Sequence, residues 1–89
     1  MPSEIVTADV PRPIRRRPGS NITIINQLSV DVFFDNDIGR LAAAAPGAVS
    51  TANGTKIANS GGQVQFSSWA GTGVVYFRSN SPTQIEVQP

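Results

Sequence analysis

Between Ser20 and Gln88 apolar and polar residues alternate in short runs. In "NITIINQL", Ile22 and Ile24 share one face of a strand. In "SVDVFFDND", Val30, Val32 and Phe34 point one way and Asp31, Phe33 and Asp35 the other. "QVQFSSW" repeats the alternation with Val64 and Phe66. "GVVYFRS" is denser, as suits a strand covered on both faces, and "TQIEVQ" turns Ile85 and Val87 inward with Gln84, Glu86 and Gln88 outward. "TKIANS" adds a short extra strand. The runs are separated by turn chemistry in "QLS", "NSGG", "WAGTG" and "SNSPT", and Asn53-Gly54 carries the signal of a type I′ hairpin turn. Short strands at this spacing predict an all-β fold: a small antiparallel β-sandwich, or a partly open barrel.

Two segments depart from this pattern. "IGRLAAAAPGAVS" has four consecutive alanines, which favour helix, but Pro46-Gly47 stop it. The expectation is a long loop with one helical turn over Ile38–Ala45, of a length that goes with function or a contact surface. The first 19 residues contain Pro2, Pro11, Pro13 and Pro18. Each fixes φ, removes a backbone donor and biases the preceding residue to extended conformations. "VPRPIRRRP" is therefore expected to be extended and polyproline-like, and disordered in isolation. The chain divides on this reading into an N-terminal Pro/Arg-rich arm (1–19) and a β-sandwich domain (20–89).

Composition sharpens the picture. The 89 residues make one domain at most, and 39% are hydrophobic. A chain this short buries roughly 60% of its unfolded surface, so a lone core is marginal. There is no cysteine to add a disulfide. Oligomerisation, or docking onto a larger surface, is the remaining source of stability. The charge is uneven: residues 1–19 hold four arginines against Glu4 and Asp9, or +2, and residues 20–89 hold Arg40, Lys56 and Arg78 against Asp31, Asp35, Asp37 and Glu86, or −1. A slightly acidic body thus carries a basic arm. No apolar stretch has the form of a secretory signal or the length of a membrane helix, so no membrane partner is expected.

Histidine is also absent. That removes the commonest general base and metal ligand, and the thiolate nucleophile goes with cysteine. A Ser-Lys pair could use only Lys56, which reads as exposed beside a turn. "DNDIG" begins like a calcium loop, but counting from Asp35 puts Gly39 at position 5, Arg40 at 6 and Pro46 at 12, against the pattern. An irregular calcium site at Asp35 and Asp37 is the alternative to a strand end whose side chains satisfy a turn. The glycine-rich stretches match no phosphate-binding motif, and no cofactor is expected. Trp69, the single tryptophan, reads as core or rim, or as a partner contact. Arg12, Arg15, Arg16 and Arg17 suit phosphates, or carboxylates on a neighbouring protein. No aromatic between Met1 and Leu28 offers a base a stacking platform.

From Asn21 to Pro89, the stretches "NITIINQLSVDVFF" and "SGGQVQFSSWAGTGVVYFRSNSPTQIEVQ", with the Gly/Ala-rich loop between them, resemble small virion proteins of tailed bacteriophages. The resemblance implies a compact β-sandwich with a structural role, either decorating or cementing capsids or forming parts of tails, necks and fibres. It makes a docking arm that crosses onto a neighbouring subunit the preferred reading of residues 1–19. The expected function is that of a non-enzymatic virion protein, present in multiple copies or as a homo-oligomer. It would be attached to a major capsid or tail protein through Ile5, Val6, Val10 and Ile14 as apolar pegs and Arg12, Arg15, Arg16 and Arg17 as charged ties, with Trp69 a further contact. On that reading, deleting residues 1–19 leaves a folded body. The alternatives are a nucleic-acid-binding accessory using the arginines, and a glycan-type module using Trp69, Tyr76 and the Asp35–Asp37 loop.

Overall fold

Alternating strands bury one face each, and this chain buries those faces against one another in two layers. The computed structural model describes residues 3–88; Met1 and Pro2 of the expected arm and Pro89 of the expected sandwich lie outside the described residues. The strands are β1 (Ser3–Val6), β2 (Arg12–Arg15), β3 (Ile22–Asn26), β4 (Val32–Asp35), β5 (Thr55–Ile57), β6 (Gly62–Phe66), β7 (Val74–Ser79) and β8 (Thr83–Gln88), with helix α1 (Ile38–Ala42) between β4 and β5. They form two antiparallel four-stranded sheets, ordered β1-β8-β3-β6 and β2-β7-β4-β5. The all-β sandwich is therefore the fold, without barrel closure.

The core lies between the sheets. Val6, Ile22, Ile24, Ile85 and Val87 come from the first, and Ile14, Val32, Ile57, Val75 and Phe77 from the second. Each such side chain contributes roughly 1.5–3 kcal/mol on burial. Phe34 packs edge-on against Phe66 at 5.2 Å between ring centroids, and Phe66 meets Trp69 in the same way at 4.9 Å. Such edge-to-face pairs add to the area term.

The N-terminal segment differs from expectation. Residues 3–15 supply an edge strand to each sheet: β1 pairs with β8, and β2 with β7. Val6 and Ile14 are core residues of this chain's own sandwich, so they are not pegs for a partner. The division into an arm (1–19) and a sandwich (20–89) gives way to one domain that includes both strands. The prolines permit this because β2 is an edge strand. Arg16 N–H donates to Gly73 O at 2.9 Å, which by antiparallel alternation turns the Arg12 and Ile14 amides toward β7 and leaves Pro13 on the open side, where no donor is needed.

The Ala-rich segment forms a third layer. Asp37 caps α1 by accepting from Gly39 N–H at 2.9 Å. Leu41 and Val49 then pack on Phe33, with Ala44 and Tyr76 alongside, over the outer face of the second sheet. Strand β7 is thereby covered on both faces, and Arg78 is buried beneath the lid at 1% exposure. Its guanidinium donates to Leu41 O, to Ala44 O at 3.1 Å and to Ala45 O at 3.0 Å. These carbonyls stand at and just beyond the end of α1, where helix geometry leaves acceptors unmet and a cation is favoured. Asp9 joins from the β1–β2 link, 3.5 Å from Arg78 Nη2, while its Oδ1 accepts Gly47 N–H at 2.7 Å.

Asn53-Gly54 does not form the expected type I′ turn, which needs positive φ at both residues, and neither has it. Asn53 instead donates to Arg40 O at 3.0 Å, and Gly54 is pressed so closely on Phe34 that a Cβ would lie 2.6 Å from its carbonyl oxygen. The left-handed turn comes later, at Ser60 (φ 60°) and Gly61 (φ 111°), where the chain crosses from β5 in one sheet to β6 in the other.

Two outcomes follow from this arrangement. Deleting residues 1–16 is expected to abolish cooperative unfolding, because it removes Val6 and Ile14 from the core and an edge from each sheet; a sharp, dispersed amide spectrum from the truncated chain would contradict this. Arg78→Ala is expected to lower the free energy of unfolding by about 3 kcal/mol through buried carbonyls left unmet. Denaturant titration reads the loss, and faster amide exchange confined first to residues 39–50 identifies its cause.

Candidate functional site

Strand alternation sorts the N-terminal segment into an inward and an outward set. Inward with Ile14 go Arg12 and Arg16, both half-buried. They share one carboxylate: Arg12 Nη2 is 2.8 Å from Glu4 Oε1, and Arg16 Nη2 is 3.7 Å from Glu4 Oε2. Arg12 Nη1 also donates to Ile5 O at 3.2 Å, which ties β1 to β2. Two of the four arginines expected to hold a partner therefore hold this chain's own two sheets together. Outward go Pro13, Arg15 and Arg17, all exposed. Neither Arg15 nor Arg17 forms a salt bridge among the described residues. Ile5, on the outer face of the first sheet, and Val10, in the β1–β2 link, are exposed at 54% and 58%.

Trp69, expected as a contact, lies in the core at 2% exposure. Its backbone N–H donates to Ser20 O at 2.9 Å and its carbonyl accepts Gly19 N–H at 3.0 Å, so it anchors the exit of the N-terminal segment. Of the nine candidate residues, the structure leaves Ile5, Val10, Arg15 and Arg17 exposed, with Ile5 on the outer face of the first sheet, Arg15 on the outer face of the second and Val10 in the link between β1 and β2. It takes Val6, Ile14 and Trp69 into the interior and pairs Arg12 and Arg16 with Glu4.

The glycan-type trio is not assembled. Trp69 is between the sheets, whereas Tyr76 faces the lid on the other side of the second sheet, opposite Asp35 in register. The carboxylates of "DNDIG" are engaged: Asp35 accepts Asp37 N–H at 2.8 Å and pairs with Arg40 at 3.2 Å, and Asp37 caps α1. Among the described residues no group of three or more Asp or Glu could hold a metal ion. A recess on the outer face of the first sheet, lined by Ser3, Ile25, Leu28, Gln84 and Glu86 among others, encloses about 80 Å³. That is well below the few hundred Å³ of a small-molecule site.

Sequence reasoning missed Glu4, Asp9 and Arg78. One signal was present for Arg78: a charge inside a run dense enough to be covered on both faces demands buried partners. Glu4 and Asp9 carried none, because their partners are reached only through the fold. No protein-family model, curated protein or solved structure matches the chain.

The placement of Trp69 has a direct check. Its emission should be blue-shifted and poorly quenched by iodide in the folded chain, and unchanged on addition of any binding partner. Trp69→Ala should cost about 3–5 kcal/mol of stability. Efficient quenching at neutral pH without denaturant would place the indole at the surface instead.

Proposed function

We propose that the chain is a non-enzymatic structural protein of a virion, of the capsid decoration or cement type, docked on a larger protein assembly through the outward side of its N-terminal edge. The observation that carries this reading is that a segment whose inward side is fixed in the core leaves apolar Ile5 and Val10 exposed, and leaves Arg15 and Arg17 without a salt bridge among the described residues. The fold requires none of the four to be apolar or cationic where they stand. Exposed apolar residues and arginines able to pair bidentately suit a protein surface bearing carboxylates that wraps this edge of the sandwich. The surface is preformed, so docking avoids the entropic cost of ordering a loose strap. Many copies on a symmetric shell would make a small contact effective.

A tail, neck or fibre assembly would be met by the same surface. The phosphate reading is weakened by the geometry, because Glu4 occupies two of the four arginines. Two remaining cations support only a shallow, salt-sensitive attraction to DNA.

The test is the mass and composition of the chain recovered from its native source. Co-sedimentation in fixed stoichiometry with a large proteinaceous particle supports the reading; recovery as a free chain, or as a complex with nucleic acid, overturns it. With such particles in hand, Ile5→Asp combined with Arg15→Glu and Arg17→Glu is expected to abolish attachment while the far-UV spectrum and unfolding midpoint stay within the range of surface substitutions.

A further inference from the structure

Every open sandwich has four edges, and an exposed edge strand is a template for another strand unless something guards it. Three edges here are guarded. In β1 the Ile5 carbonyl is taken by Arg12, and Glu4 carries a charge. In β2 Pro13 and Arg15 stand on the open side. Strand β5 is three residues long and carries Lys56. Strand β6, "GQVQF", is different. It has five residues, no charge and no proline, and it ends the first sheet opposite β1. Val64 and Phe66 on its inward face remain half-buried, packed on the core from one side only, while Gln63 and Gln65 are exposed.

The centre of this strand, Gln63-Val64-Gln65, reads the same in both directions. We propose that β6 pairs antiparallel with β6 of a second copy of the chain, centred on Val64, so that the two sheets continue into one of eight strands. Antiparallel pairing about that centre sets Val64 opposite Val64 of the second copy, Gln63 opposite its Gln65, and Gly62 opposite its Phe66. Val64 of each copy covers the other, and Phe66 lies across from Gly62, beside the Ala58 backbone that fills the space a Gly62 side chain would take. The glutamines form amide pairs on the outer face, as cross-strand neighbours can. Within the joined sheet no like charges meet: Glu86 lies on β8, two strands in from β6, so the two Glu86 residues stand five strand spacings apart. That is about 24 Å, well beyond the screening length at physiological salt. The contact is isologous and closes on itself, so it yields a dimer and not a filament. It is also independent of the proposed docking edge, which lies at the other side of the sandwich.

Sedimentation of the full-length chain from about 1 µM to 1 mM tests this, a range that spans weak association. A dimer population that grows with concentration is expected. Gln63→Lys with Gln65→Lys sets like charges opposite one another twice. It should raise the dissociation constant roughly tenfold with the circular dichroism spectrum retained. Gln63→Glu with Gln65→Lys sets opposite charges there and should restore association. A wild-type chain monomeric throughout overturns the proposal. So does a dimer indifferent to the first pair of substitutions, or one weakened by it and not rescued by the second.

Discussion

A single guanidinium under the lid couples three separate parts of the chain. Arg78 sits on the central strand β7, its acceptors are carbonyls at and beyond the end of α1, and its counter-charge, Asp9, comes from the link between the two N-terminal strands. A buried cation needs acceptors and a counter-charge, and here Nη1 and Nη2 find both while Nε has no partner. Each of the three parts is therefore held where the other two need it. A buried ion pair adds little net free energy compared with an apolar cover. What it does here is penalise any other cover for the second sheet, since an alternative would have to supply acceptors at the same points. The four-alanine stretch has little side-chain shape of its own with which to choose a site, and Arg78 makes that choice through the backbone.

The N-terminal segment answers the problem that small size sets. Two sheets of short strands leave a thin core with open sides. Strands β1 and β2 close one side, adding Val6 and Ile14 to the interior. Glu4 then bridges Arg12 and Arg16 across the gap between the sheets. Such a half-exposed pair contributes at most about 1 kcal/mol, so apolar burial does most of the closing and the charges set the alignment. The stability that the composition assigned to docking or assembly comes in part from within.

What the sequence revealed depended on how long each pattern ran. Strands β3, β4, β6, β7 and β8 were legible because several inward apolar residues repeat in step. Strands β1 and β2 were not: "SEIV" and "RPIR" each hold a single fully buried side chain, and one of them contains a proline. Their strand character comes from the neighbours they pair with, which local propensity does not record. Asn53-Gly54 misled for a related reason. Its glycine serves a close approach to Phe34 rather than a left-handed turn, and a dipeptide does not distinguish the two. Within the candidate site, the residue types pointed to the right segment, but the fate of each one followed from which face it took.

That last point decides how the basic stretch is read. In a disordered tail Arg12, Arg15, Arg16 and Arg17 would be equivalent, and a partner would meet all four. In a strand they alternate. The even-numbered pair flanks buried Ile14 and meets Glu4, and the odd-numbered pair follows Pro13 outward. The same alternation that hides Val6 exposes Ile5 beside it. Pairing the segment into the sheets thus halves its charge available to a partner, but fixes Arg15 on the outer face of a rigid edge strand. A diffuse attraction to any polyanion weakens, and selectivity for a surface that matches guanidiniums held in a fixed geometry grows. On the proposed reading, that exchange suits a specific protein contact better than a nucleic-acid one.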